Sequence, residues 1–235
     1  MTDRFLLTLL GPILLAQGRR VRRQALILPE PQGDRQGTRG RGPGISLLVV
    51  GDSSAAGVGA ATQDEALLGH LVRLLAREHE VRFRLVARTG LTTPHILKLL
   101  GEMPAATFDL AVTSLGVNDT TRLREPQDFV ADQEALLKLL QDKFGARRVV
   151  VTGLPPMHLF PALPRPLRWV LGRRARQLDT ALARLLESIP GATHLDSAFT
   201  RDAGLMAPDG FHPGPELYRT WADRAVEILL PRCKE

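Results

Sequence analysis

Apolar and polar residues alternate along the chain in blocks that predict strands separated by helices. The apolar, partly β-branched run from Ile45 to Val50 has the length and composition of a buried strand and predicts one over 45–51. Residues 81–87 alternate apolar and polar and predict a strand with one polar face, and further strands are predicted over 108–116, 148–153 and 193–196. Leucines on one side of a helical pattern predict a helix over 63–79, and further helices are predicted over 94–101, 126–143, 168–189 and 213–230. Because strands separated by helices indicate parallel βαβ units, we predict a three-layer α/β/α fold around an open, mainly parallel five-stranded sheet.

The first 44 residues differ from the rest of the chain. Residues 5–16 are almost entirely apolar, but this stretch is shorter than the roughly twenty residues that span a bilayer. Residues 32–44 contain five glycines and no bulky apolar side chain, which predicts a linker. We therefore predict an N-terminal apolar and basic arm over 1–44 and one compact domain over 45–235.

The apolar part of the arm allows three roles. It forms a helix packed on the domain, or it lies on an anionic membrane surface with Arg19, Arg20, Arg22 and Arg23 at the lipid headgroups. It is a weaker match to an export signal, because the positive run follows the apolar residues; residues 16–18 would then be the cleavage site. These features favour a cytoplasmic or membrane-peripheral protein and leave export open.

Charge and cysteine content narrow the choice of partner. Residues 1–44 hold eight arginines and three acidic residues, so almost all of the net charge of +6 belongs to the arm. A nearly neutral domain argues against nucleic-acid binding by its surface. Cys233 is the single cysteine, which rules out a disulfide within the chain and suits a reducing compartment.

A serine stands where the first predicted strand gives way to a glycine-rich turn. This strand ends at Gly51-Asp52-Ser53, and the loop that follows contains two more glycines. Ligands of open α/β sheets bind at the carboxyl ends of the strands, which makes Ser53 a candidate nucleophile. A serine at such a position also serves as a helix cap, and the turn alone does not separate the two roles.

Three further turns with polar or glycine residues follow predicted strands. Asp209 stands three residues before His212, a spacing that lets a carboxylate orient an imidazole so that its other nitrogen can take a proton from a serine. Asn118 offers a neutral, directional N–H donor for an oxyanion, and Gly90 can bring a backbone N–H close to a carbonyl oxygen. Each turn alone is commonplace, but all four are predicted at the same edge of the sheet.

In these blocks and their order, residues 45–230 resemble the SGNH, or GDSL-type, hydrolases, a family of serine esterases and lipases with a flavodoxin-like fold. The resemblance implies Ser53 as nucleophile, His212 as general base and Asp209 as its orienting partner. It also implies an oxyanion hole built from the Ser53 and Gly90 backbone N–H groups and the Asn118 amide. The chain departs from the usual pattern at Ser54, where the family commonly has leucine. The implied chemistry needs no metal and no organic cofactor.

A proline-rich loop over 154–167 is the candidate acyl-binding wall. Its apolar residues Met157, Leu159, Phe160 and Leu163 would contact the acyl group of a small-molecule or lipid ester, or else pack as a rigid crossover in the core. His158 in this loop competes with His212 for the role of base. We therefore expect an esterase of carboxylic or thioester bonds, with lysophospholipids as a candidate substrate. A carbohydrate O-deacetylase and a non-catalytic membrane-surface binding protein are the alternatives.

Overall fold

The computed structural model describes residues 2–197 and 202–230, with side chains from residue 10 onward except that of Ala203; Cys233 lies outside this part. Its six strands stand in the order β1-β3-β2-β4-β5-β6 across one sheet. They are β1 (Gln36–Arg39), β2 (Gly44–Gly51), β3 (Glu80–Ala87), β4 (Leu110–Ser114), β5 (Arg148–Thr152) and β6 (Ala192–Leu195). Strands β2 to β6 are parallel, and β1 pairs antiparallel with the edge of β3.

The α-helices of the described residues follow the strands in the manner of βαβ units. They are α1 (Thr2–Gln24), α2 (Ser53–Ala56), α3 (Leu67–Leu75), α4 (Thr93–Glu102), α5 (Val117–Thr121), α6 (Pro126–Asp142), α7 (Leu167–Leu186) and α8 (Pro215–Leu229). Single turns of 3-10 helix lie at Gln63–Glu65, Met157–Leu159 and Ala203–Leu205.

The sheet separates two apolar cores. Alternate residues of β2 point to opposite faces, so Leu48 packs toward α4, α6 and α7, whereas Leu47 packs toward α3 and α8. Because the central strands are buried on both faces, they consist of continuous apolar runs. This arrangement confirms the predicted three-layer α/β fold with a mainly parallel sheet.

The sixth strand corrects the prediction for residues 32–44. These residues are not a free linker: β1 runs beside β3, with Gln36 opposite Arg84 and Arg39 opposite Val81. All four residues of β1 are exposed, so backbone pairing and not side-chain burial attaches it to the sheet. The sheet therefore begins before Ile45, where the predicted domain starts.

Helix α1 contacts the start of α7. The Gln17 side chain donates to the Arg165 carbonyl (2.6 Å) and accepts from the Leu167 N–H (3.1 Å), while Leu14 and Val21 pack against the core beneath α7. In the described residues, no helix combines the length and apolar character needed to cross a bilayer.

Candidate active site

The turn after β2 presents Ser53 at the carboxyl edge of the sheet. Asp52 is the N-cap of α2, because its carboxylate accepts from the Ser54 N–H (3.1 Å). Gly51 is required at the end of the strand, since a Cβ there would collide with the carbonyl oxygen of Ser114 on β4. Asp52 therefore fills the capping role that the sequence left open for Ser53, and the Ser53 hydroxyl is directed elsewhere.

The Ser53 hydroxyl lies within hydrogen-bond distance of His212, and His212 lies within hydrogen-bond distance of Asp209. The Nε2 atom of His212 lies 2.9 Å from Ser53 Oγ, and its Nδ1 atom lies 2.5 Å from Asp209 Oδ2. The other oxygen of Asp209 accepts the backbone N–H groups of Phe211 and His212, both at 3.0 Å. Burial raises the pKa of Asp209, but its hydrogen bonds outweigh burial and hold the pKa below its ordinary value. The hydrogen bond with the His212 imidazole lowers the pKa most, followed by those from the two backbone N–H groups. Asp209 therefore stays ionised and fixes Nδ1 as the donor.

The loop after β3 carries Gly90 in the left-handed region, with φ at +83°. Among the described residues, the Gly90 N–H has no hydrogen-bond acceptor. At the start of α4, three residues after Gly90, the carboxylate of Asp119 accepts from the Thr93 N–H (3.2 Å) and from the Thr93 hydroxyl (3.3 Å). Gln133 donates to the same hydroxyl (2.9 Å), so this buried network attaches the start of α4 to α5 and α6.

Asn118 lies beside this loop at the start of α5. Its side-chain Nδ2 donates to the Leu91 carbonyl (3.0 Å) and, at 3.3 Å, to the Asp52 carboxylate. Because an amide nitrogen carries two hydrogens, an oxyanion would have to replace one of these acceptors. The longer contact, to Asp52, is the one more readily exchanged.

Asp52 lies under the nucleophile and is almost fully buried. Burial is the largest influence and raises the pKa of this carboxyl to about 7, while the Ser54 N–H and His212 act in the opposite direction. A carboxyl with this pKa is about half protonated at neutral pH and mostly neutral below it. Its neutral form would therefore not repel an oxyanion bound by Asn118.

A small cavity of about 50 Å³ opens beside Ser53. Its lining includes aromatic and apolar residues from the loops and from α8, together with the ends of β4 and β5: Ser53, Ser54, Ser114, Leu115, Val117, Thr152, Gly153, Pro155, Phe160, Ser197, Met206, Phe211, Pro213, Leu217 and Trp221. Phe211, beside His212, packs edge-on against Phe160 with ring centroids 5.1 Å apart. Phe211, Leu217 and Trp221 are not predicted from the sequence, although the position of Phe211 next to His212 was a usable signal.

The lining corrects most of the predicted acyl wall. Of the four predicted contact residues, only Phe160 borders the cavity. Met157 and Leu163 are buried in the core instead, and Leu159 is exposed to solvent over 36% of its surface. An apolar run around prolines is compatible both with core packing and with a pocket. In this loop two of the four residues, Met157 and Leu163, pack in the core.

The remaining histidines do not reach Ser53. His158 is exposed and lies against Gly172 of α7. His194 has a carboxylate partner that its sequence surroundings do not reveal: its Nε2 lies 3.0 Å from Asp179, which also accepts the Leu154 N–H (2.8 Å). Within residues 2–197 and 202–230, no group of three or more acidic, histidine or cysteine side chains is placed to hold a metal ion.

The sequence model of the GDSL-like Lipase/Acylhydrolase family matches residues 49–220. This range contains Ser53, Gly90, Asn118, Asp209 and His212, and every residue of the cavity lining except Trp221. It starts inside β2, so α1 and β1 lie outside the match.

Individual proteins resemble the chain over most of its length. It is 27% identical over 217 residues to the GDSL-like esterase Rv1075c of Mycobacterium tuberculosis, covering 82% of this chain and 67% of the relative. The fold is similar to that of the lipase Lip_vut3 from a goat rumen metagenome, with a TM-score of 0.60 and 18% identity, covering 77% of this chain and 95% of the other. It is also similar to the psychrotrophic esterase EstA from Pseudoalteromonas sp., with a TM-score of 0.59 and 19% identity over 78% and 96% of the two chains.

Proposed function

Since the chain belongs to the GDSL-like lipase/acylhydrolase family and is an ester hydrolase, we propose that it cleaves carboxylic esters of short acyl groups through an acyl-enzyme on Ser53. The observation that carries this proposal is the continuous contact from Ser53 Oγ to His212 Nε2 and from His212 Nδ1 to Asp209. This is the arrangement in which an imidazole can take the serine proton while a carboxylate holds it in the reactive tautomer.

In the acylation step, Ser53 Oγ attacks the carbonyl carbon and its proton passes to His212 Nε2. Asp209 stabilises the imidazolium that forms, without taking the proton. The tetrahedral intermediate then expels the alcohol, which leaves with the proton from His212. In the second step His212 takes a proton from water, the hydroxide attacks the acyl carbon, and Ser53 Oγ regains a proton as the acid leaves.

The negative oxygen of the tetrahedral intermediate needs donors on one side of Ser53. We assign this role to the backbone N–H groups of Ser53 and Gly90 and to the Asn118 amide. Neither backbone N–H has an acceptor among the described residues, and Asn118 can exchange its long contact to Asp52 for the oxyanion. Donors arranged in advance of the reaction stabilise the developing charge without reorganisation.

The size of the cavity supports short acyl groups over long ones. One water-sized sphere needs about 10–15 Å³. A cavity of about 50 Å³ therefore has room for only a few atoms of an acyl group. Acetyl and propionyl groups fit this limit, whereas a lysophospholipid chain would have to leave the cavity along the surface. The same limit favours a second candidate, the removal of acetyl groups from a carbohydrate.

The arm supports a membrane partner for the same enzyme. Ile13 and Leu15 of α1 are about half exposed, and the Ile27 side chain that follows the helix is 88% exposed. The arginines of the last two turns of α1 are exposed as well. Helices that lie on an anionic lipid surface typically combine exposed apolar residues with a basic cluster, as α1 does.

A substrate series tests the proposed function. We expect purified protein to hydrolyse p-nitrophenyl acetate and propionate, with kcat/KM falling steeply from butyrate to palmitate, and Ser53→Ala to be inactive while Ser54→Ala remains active. Release of acetate from an acetylated oligosaccharide at a higher kcat/KM than from p-nitrophenyl acetate would favour the deacetylase. A fully folded protein without turnover of any ester would contradict catalysis and leave the non-catalytic scaffold.

A further inference from the structure

Two charged residues that lie ahead of the family match reach the loop that carries Gly90. We propose that Glu30 and Arg35, called here the Glu30–Arg35 clamp, are positioning residues that hold the Gly90 N–H in place for the oxyanion. This inference rests on the proposed function, because it assigns the clamp to the oxyanion hole of that reaction.

The clamp makes direct contacts with the backbone on the approach to Gly90. Glu30 Oε1 accepts from both the N–H (2.7 Å) and the hydroxyl (2.8 Å) of Thr89, the residue before Gly90. Glu30 Oε2 lies 2.8 Å from Arg35 Nη1, and Arg35 also donates to the Ala87 carbonyl. Hydrogen bonds with an ionised partner are stronger than neutral ones, so these contacts restrain the loop more firmly than a neutral turn would.

On the far side of Gly90 the loop is held by Leu91, which is buried and whose carbonyl accepts from Asn118 (3.0 Å), but Gly90 itself has few contacts. A Cβ added at Gly90 would meet no atom within 4 Å, so side-chain packing does not hold this residue. Its carbonyl accepts from Arg122 at 3.3 Å, and its N–H faces no acceptor among the described residues. The direction of the Gly90 N–H is thus set by the hydrogen bonds of its neighbours, among which Glu30 supplies two.

The charge state of Glu30 agrees with this role. Burial raises its pKa, but the hydrogen bonds from Thr89 and the contacts with Arg35 outweigh burial and hold the pKa below the ordinary value. The carboxylate is therefore ionised across the neutral range and remains an acceptor for both Thr89 donors.

The same segment also contacts the turn of the nucleophile. Pro31 packs against Gly57, the C-cap of α2, and the Gln32 carbonyl accepts the Gln63 N–H (2.9 Å). The Gln63 side chain donates in turn to the Ala56 carbonyl at the end of α2 (2.8 Å). One stretch of chain is thereby attached both to the helix that begins with Ser53 and to the loop of Gly90, which fixes their separation. Such support from a second layer of residues is what keeps a site in its productive geometry.

An ion pair of the same segment provides the matched control. Arg39 in β1 lies 2.6 Å from Asp64, so it attaches the arm to the domain without touching the Gly90 loop. If the clamp only anchors the arm, loss of the Arg39 pair should have the same effect as loss of Glu30. If the clamp positions Gly90, only Glu30 should affect the chemical step.

The experiment compares wild type, Glu30→Ala, Glu30→Gln and Arg39→Ala with p-nitrophenyl acetate, measuring kcat, KM and melting temperature. We expect Glu30→Ala to lower kcat by about tenfold to a hundredfold with KM within about twofold, because a displaced donor acts on the transition state. Glu30→Gln keeps an acceptor oxygen for Thr89 and should recover part of this loss. Arg39→Ala should keep kcat within about twofold.

Three results overturn the inference. A kcat for Glu30→Ala equal to that of Arg39→Ala, or a loss confined to KM, would show that the clamp does not act on the oxyanion hole. If Glu30→Ala fails to fold, Arg35→Gln takes its place, because it removes the partner of Glu30 and the donor to the Ala87 carbonyl; a kcat equal to that of Arg39→Ala together with a lowered melting temperature would then equally show a purely structural role. An inactive wild type would instead contradict the proposed function, and with it this inference. The two failures can be told apart, because only this one appears in the wild-type protein without any substitution.

Discussion

The Nε2 atom of His212 lies 2.9 Å from Ser53 Oγ, although the two residues are 159 positions apart in the sequence. Contacts between the two loops explain this approach. Tyr218 at the start of α8 donates to the Val58 carbonyl (2.7 Å), and the backbone of Pro213 lies so close to Gly59 that a Cβ there would collide with it. The turn after β2 and the last loop of the chain therefore form one packed unit at the edge of the sheet.

Replacement of Asn118 tests the side-chain donor of the oxyanion hole. Asn118→Ala should lower kcat by about 10²–10³ and leave KM nearly unchanged, because the amide would bind the oxyanion only as it develops. Steady-state kinetics with p-nitrophenyl acetate measure both constants. A change confined to KM would mean that Asn118 binds the ground state of the substrate instead.

Replacement of Phe160 tests the acyl wall, and Leu163 provides the control. Phe160→Ala should enlarge the cavity and raise kcat/KM for butyrate relative to acetate, because Phe160 borders the cavity and packs on Phe211. Leu163→Ala removes a core side chain that is 2% exposed, and should lower the free energy of unfolding by about 2–5 kcal/mol without changing the chain-length preference. An unchanged preference in Phe160→Ala, or an altered one in Leu163→Ala, would contradict this assignment.

The buried Asp52 predicts an unusual dependence of stability on pH. Burial raises the pKa of its carboxyl in the folded state to about 7 from an ordinary value of 3.8. Between these values the folded protein binds a proton that the unfolded chain has lost, so this group's contribution is fully present below about pH 4 and is lost as pH rises toward 7. The free energy of unfolding should fall by about 1.4 kcal/mol per pH unit in this window.

Comparison with Asp52→Asn isolates this contribution. Chemical denaturation of wild type and Asp52→Asn at intervals between pH 4 and 8 should give a difference that changes by several kcal/mol and levels off above pH 7. Asp209, whose pKa is lowered, contributes in the opposite sense and only below about pH 4, where its stabilisation is lost as pH falls. A difference that does not vary with pH would contradict the raised pKa.

The basic residues of α1 predict binding to anionic membranes. Arg19→Gln/Arg23→Gln should sediment less with phosphatidylserine vesicles. Each basic residue contributes about 1 kcal/mol to the free energy of binding, so the double variant should lose roughly 2 kcal/mol. The matched control, Arg219→Gln/Arg224→Gln, removes two exposed arginines of α8, on the other face of the sheet. The wild-type binding should weaken with salt, because charges separated by more than about 10 Å are screened at 0.1 M. Equal sedimentation of both double variants would contradict a surface formed by α1.

The sequence predicts the parallel sheet because buried strands leave continuous apolar runs, and it predicts the site because each strand end carries a short polar signal. Strand β1 leaves no such signal: its four residues are polar or glycine, all are exposed, and they pair with β3 through the backbone. The partner of Glu30, 59 positions away, is equally invisible to any local pattern. The acyl wall is predicted too broadly because apolarity does not separate Met157 in the core from Phe160 at the cavity.

The roles of Ser53 and His212 can be separated from those of their neighbours by mutant kinetics. Ser53→Ala and His212→Ala should each lower kcat by several orders of magnitude, and the double variant should lose little more, because residues that act as a unit show strongly non-additive losses. His158→Ala should keep most of the activity, since His158 is exposed and lies against α7. Losses that add in the double variant would mean that the two residues act independently.

Covalent labelling by a fluorophosphonate tests the central claim most directly. The reagent reacts with an activated serine, and peptide mass spectrometry locates the adduct. We expect one adduct, on Ser53, formed much more slowly in His212→Ala and at the wild-type rate in His158→Ala. An adduct on another serine such as Ser54, or equally fast labelling of Ser53 without His212, would contradict the mechanism proposed for this site.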